Sequence, residues 1–141
     1  MMADEYLKNL RELEYKYNQK AGIYNLQYEN ATRCTTSYST QPKAPQRDPF
    51  AQEKRLVKLN EMKKDVDALY YQVEAMRDEL ESLLRDFTNS DAMAVIHYKY
   101  ITHLTISSIE AEIHCSRSTV YRLLDKGYAE LDRILADRGI A

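Results

Sequence analysis

The 141-residue chain is poor in the residues that punctuate sheets and turns, with three Gly and three Pro. So little turn chemistry excludes a many-stranded sheet, while Leu, Glu, Lys, Arg, Ala and Met supply strong helix formers throughout. The two cysteines, Cys34 and Cys115, lie far apart without metal-ligand spacing, as expected in a reducing compartment and not in a disulfide framework. No apolar run approaches the roughly 20 residues needed to span a bilayer, and no secretory leader stands at the start, so a cytoplasmic location without membrane contact is expected. A formal net charge of -2 offers no global attraction for polyanions, and any nucleic-acid reading must rest on local features. No Gly-rich phosphate loop, nucleophile with its base, or carboxylate pair is present, so no enzyme, metal or cofactor is expected. His97, His103, His114 and Cys115 are close in sequence, but their spacings match no ligand pattern.

What remains is helical periodicity. Residues 1–30 read as an N-terminal helix, with Tyr6, Leu10, Leu13, Tyr17 and Tyr24 at three- and four-residue steps. Tyr17, Ala21, Tyr24 and Tyr28 offer a second stripe, and Gly22 predicts a kink or frayed end. Residues 31–49 gather Ser, Thr and every proline of the chain and read as an exposed linker.

Residues 50–88 carry the strongest signal. Leu59, Met62, Val66, Leu69, Val73, Met76, Leu80, Leu83 and Phe87 alternate steps of three and four, a heptad seam with Leu59, Val66, Val73, Leu80 and Phe87 at position a. One isolated helix cannot bury such a stripe in water. The seam predicts self-association, most simply as a dimer, and the competing arrangement is an antiparallel hairpin with the first helix that consumes part of it.

Residues 89–141 read as a tri-helical unit. Thr88-Asn89-Ser90 caps a helix from about Asp91 to His103, Thr105 caps a short helix through His114, and Ser116 caps a third. Two helices joined by a tight turn, with Ser116 starting the second and Val120 four residues on, match a helix-turn-helix. Ile109, Ile113, Val120 and Leu123 would lock the two helices, leaving the start of the second as a rigid probe. The candidate DNA contacts are Thr105, Ser107, Ser116, Arg117, Ser118, Thr119, Tyr121, Arg122 and Lys126, whose hydroxyls, cations and helix-start amides suit phosphates and base edges. From Asp91 onward six Lys and Arg face seven Asp and Glu, so a single copy is expected to bind weakly and to need a second copy or a protein partner.

The segment HYKYITHLTISSIEAEIHCSRSTVYRLLDKGYAEL resembles the sigma-factor region-four-like helix-turn-helix of ArpU- and RinA-like phage transcription regulators. The order of parts is similar too: an N-terminal helix, a Ser/Thr-rich connector, a long charged helix and a headpiece. The resemblance implies an all-α fold, with a long coiled-coil or helical-hairpin arm followed by the headpiece. It implies a sequence-specific regulator of phage or prophage genes in the bacterial cytoplasm, with double-stranded DNA as ligand and RNA polymerase as a further partner. The chain departs from that group in having Glu110 where a small residue is usual and His114 in place of a turn Gly. The alternatives are a phage DNA-packaging recognition subunit, which would combine the same parts, and a helical scaffold or adaptor without nucleic-acid binding.

Overall fold

A computed structural model describes residues 2–33 and 50–140. The fold is all-α, with α1 (Ala3–Arg33), α2 (Ala51–Leu84), α3 (Ser90–Tyr100), α4 (Ile106–Ile113) and α5 (Arg117–Asp137), and no strand among the described residues. None of these helices is long and apolar enough to cross a membrane. Cys34 and the linker from residue 34 to 49 lie outside the described residues. Ala31–Arg33, expected in that linker, are helical, and α1 passes Gly22 without a break. Gly22 is exposed with nothing within 4 Å of where a Cβ would stand, so its cost is confined to helix propensity and the flanking turns outweigh it.

The helices form two compact units. In the first, α1 contributes residues up to Glu12, α2 contributes residues from Glu74, and α3, α4 and α5 complete the packing. Its core is continuous: Tyr6, Leu7 and Leu10 of α1, Leu80, Leu83 and Leu84 of α2, Val95 and Ile96 of α3, Ile109 of α4, and Val120, Leu124, Leu131, Ile134 and Leu135 of α5. The tri-helical unit expected from residue 89 onward is thus enlarged by two helix ends from earlier in the chain. Polar contacts fix those ends. Asp132 on α5 accepts from the backbone N–H of Ala3, a carboxylate at the positive end of α1. Arg138 donates to Asp86 Oδ2 at 2.6 Å and to Ser82 Oγ at 3.1 Å. Tyr100 and Tyr128 share a hydrogen bond of 2.7 Å between their hydroxyls, and the Arg11 guanidinium lies 5.0 Å from the Tyr100 ring centroid.

The second unit is a helical hairpin of α1 from Leu13 and α2 to Val73. Its helices run antiparallel, since Tyr17 meets Tyr70 at 5.9 Å between ring centroids while Gln27 and Ala31 line one cavity with Arg55 and Leu59. That cavity, of about 450 Å³, is open to one side and lined by polar side chains as well as Ala31, Leu59 and Met62. Within this hairpin Leu59 and Val73 are buried and Met62, Val66 and Leu69 half-buried. The sequence seam is therefore covered in part within a single chain, as in the antiparallel alternative that the periodicity left open, and Met62, Val66 and Leu69 keep some exposure. Tyr28, on the second stripe of α1, is exposed.

Phe87 corrects the last heptad. Helix α2 stops at Leu84, and the N–H groups of Asp86 and Phe87 fold back onto the carbonyls of Leu83 and Leu84 at 3.1 and 3.2 Å. The cause lies downstream: Asn89 is extended and its side chain accepts the N–H groups of Asp91 and Ala92, so the chain must leave α2 before it. Phe87 packs against the core from this turn and not from a helical position a.

Candidate nucleic-acid interface

The local sequence dictates where α4 and α5 begin. Thr105 is extended and its Oγ1 accepts from the Ser108 N–H at 3.2 Å; Ser116 is likewise extended and its Oγ accepts from the Thr119 N–H at 3.4 Å. Each hydroxyl satisfies one of the donors that a helix start leaves unpaired. Between the helices His114 adopts the left-handed conformation, φ 57° and ψ 41°, and its N–H bonds to the Glu110 carbonyl. The turn thus has the geometry usually given to Gly, filled by a residue that tolerates it at modest cost. The preceding loop turns on His103, also left-handed at φ 61°, which ends α3 at Tyr100 and not at His103 as the sequence suggested.

The angle between α4 and α5 is fixed from beneath. Ile109, Val120 and Leu124 are fully buried, and Ile113 and Leu123 pack against them partly exposed. On the opposite side, Ser116, Arg117, Ser118, Tyr121, Arg122 and Lys126 are all exposed, as are Thr105 and Ser107 at the start of α4. Thr119 is half-buried. It links the row, because Ser116 Oγ lies 3.1 Å and Arg122 Nη2 3.3 Å from its Oγ1. Thr119 therefore orients Arg122 more than it presents itself.

Two acidic residues shape this face. The Glu110 carboxylate reaches across from α4 to pair with Arg117, Oε1 to Nε at 3.3 Å. Asp125 is exposed one turn beyond Tyr121 and Arg122, on the same side of α5. It was absent from the residues picked by sequence, although the steps from Ser118 to Arg122 and Asp125 would have placed it there. A carboxylate at that point confines favourable phosphate contact to the first two turns of α5, or suits an amino group at a base edge. Gly127, also not singled out by sequence, is buried where α5 crosses α3.

A family model described as a protein of unknown function, DUF1492, matches residues 51–132, more than half of the chain. The match spans α2, α3, α4 and most of α5, and so contains the whole candidate face. No curated protein and no solved structure matches the chain.

Proposed function

We propose that this chain, which belongs to the DUF1492 family, is a sequence-specific DNA-binding transcription regulator that acts by binding and carries out no chemistry of its own. The observation that carries the reading is the exposed row Arg117, Ser118, Tyr121 and Arg122 on the first two turns of a capped helix locked from below by Ile109 and Val120. A helix start presented in this way suits a major groove, with Arg117 and Arg122 toward base edges or phosphates and the free amides of α4 and α5 toward phosphate oxygens. The resemblance to ArpU- and RinA-like regulators supports phage or prophage genes as the targets and RNA polymerase as a further partner. Cytoplasmic location and self-association as a dimer belong to the same reading.

A second reading, a helical adaptor without nucleic acid, is favoured by the excess of acid over base from Asp91 onward and by Asp125 on the outer face. One experiment separates them. The chain is offered a random-sequence duplex pool at two salt concentrations, and bound duplexes are recovered. Enrichment of a shared sequence, lost on Arg117→Ala or Arg122→Ala with helicity unchanged, supports the DNA reader. Failure to retain any duplex at either salt concentration sinks it.

A further inference from the structure

Glu110 stands on α4 opposite the start of α5, and the atom it sends toward the first cation of the face is an unusual one. Its Oε1 is buried, accepts no hydrogen bond, and lies 3.3 Å from Arg117 Nε. A carboxylate oxygen shielded from water without a donor is unfavourable unless opposite charge lies close, and the Arg117 guanidinium supplies it. The arginine itself is well exposed, with about 62% of its side chain open to solvent. It is held from the protein side and free on the side that would meet a ligand.

For an arginine at the first position of a groove-facing helix this has two effects. Its charge is already matched, so it adds less to the undirected attraction that any duplex phosphate exerts. Its side chain is also oriented before contact, so less rotamer freedom is lost when it meets one defined base edge or phosphate. The neighbouring Arg122 donates to the neutral Thr119 hydroxyl, and among the described residues no carboxylate forms an ion pair with it.

We infer that Glu110 is a positioning residue that sets DNA discrimination: by holding Arg117 it lowers affinity for arbitrary duplex more than affinity for the preferred sequence. The inference rests on the DNA-binding reading above. It gives Glu110 a role toward the ligand without any contact with it.

The test is Glu110→Gln, which keeps the shape of the side chain and removes its charge. Two probes are used: the duplex enriched by the wild-type chain from a random pool, and the alternating copolymer poly(dI-dC). Affinity of the variant for poly(dI-dC) is expected to rise by about threefold to tenfold at low salt. One further phosphate contact carries a salt slope of about 0.9, so the rise shrinks by about threefold between roughly 50 and 200 mM salt. The enriched duplex gains less, and the ratio of the two affinities falls. In an Arg117→Ala background, Glu110→Gln changes neither affinity, which a merely structural role would not produce. Glu110→Asp keeps the charge but shortens the reach to Arg117, and is expected to lower the ratio likewise, providing a measurement that leaves the net charge of the face unchanged. An unchanged ratio in folded Glu110→Gln or in folded Glu110→Asp overturns the inference, as does an effect undiminished without Arg117. A wild-type chain that retains neither probe overturns the DNA reading itself, a distinguishable result.

Discussion

Gly127 of α5 lies so close to Ile96 of α3 that a Cβ on the glycine would stand 2.6 Å from Ile96 Cγ1 and 2.9 Å from Cδ1. The absent side chain lets the two helices approach, and the candidate DNA helix owes its seat on α3 to it. Gly127→Ala is therefore expected to destabilise by about 1–3 kcal/mol despite the better helix propensity of Ala. Urea unfolding measures it. In a double-mutant cycle with Ile96→Ala, which empties the space, the combined loss should be smaller than the sum. Strict additivity would show that the close approach does not matter.

His114 holds a left-handed turn with a side chain that is exposed and so has little packing to lose. His114→Gly is expected to stabilise by about 0.5–1 kcal/mol, whereas His114→Val, branched at Cβ, should cost about 1–2 kcal/mol or more. Thermal melting with unchanged helicity checks both. Equal stability of the Gly and Val variants would mean that the turn relaxes in solution.

Alkaline pH should loosen the first unit. Burial raises the Tyr6 hydroxyl above the usual tyrosine value of 10.0, and the Glu79 carboxylate adds to the shift. Burial likewise raises Tyr128, followed by its hydrogen bond with Tyr100. Below pH 10 both folded and unfolded chains keep these protons, and nothing is lost. Above it the unfolded chain releases them while the folded chain does not, so stability falls as pH rises. Tyr128→Phe removes the 2.7 Å bond to Tyr100, costing about 1 kcal/mol at neutral pH, but should flatten the alkaline decline. An unaltered decline in the variant would rule Tyr128 out as its source.

Much of this was legible from residue patterns because it is local. The caps at Asn89, Thr105 and Ser116 depend on a few neighbouring residues whose side chains compete directly for backbone donors, whereas the left-handed turn at His114 was indicated by the resemblance, which puts Gly there. The heptad period of α2 located an apolar stripe, but periodicity does not name the partner, and within the hairpin α1 of the same chain covers the stripe in part. The exposed row on α5 followed from helical spacing once the core side was known. What stayed hidden is tertiary: that α1 begins against Asp132, that Gly127 is pressed against Ile96, and that Glu110 reaches Arg117. Each joins elements whose approach no local period encodes.

A second copy would meet a seam that is already covered in part within the hairpin. Leu69 is half-buried within the hairpin, so Leu69→Asp should act by loosening α1 from α2, and a loss of self-association in that variant would report folding and not contact. Leu26 and Val57 are different, being 62% and 58% exposed on the hairpin. Exposed apolar side chains on both helices of one arm are candidates for burial against another molecule. With few free cations on each headpiece, a lone copy should hold DNA weakly, and pairing gains affinity by presenting two headpieces together. The double variant Leu26→Asp, Val57→Asp is therefore expected to keep full helicity, to shift toward monomer in sedimentation, and to lose at least about tenfold in affinity for the enriched duplex. If it keeps both the wild-type mass distribution and the wild-type affinity, neither Leu26 nor Val57 is buried by a second copy. A wild-type chain that is monomeric at tens of micromolar yet binds its duplex tightly would remove the dimer from the reading, and would leave the four residues Arg117, Ser118, Tyr121 and Arg122 to carry recognition alone.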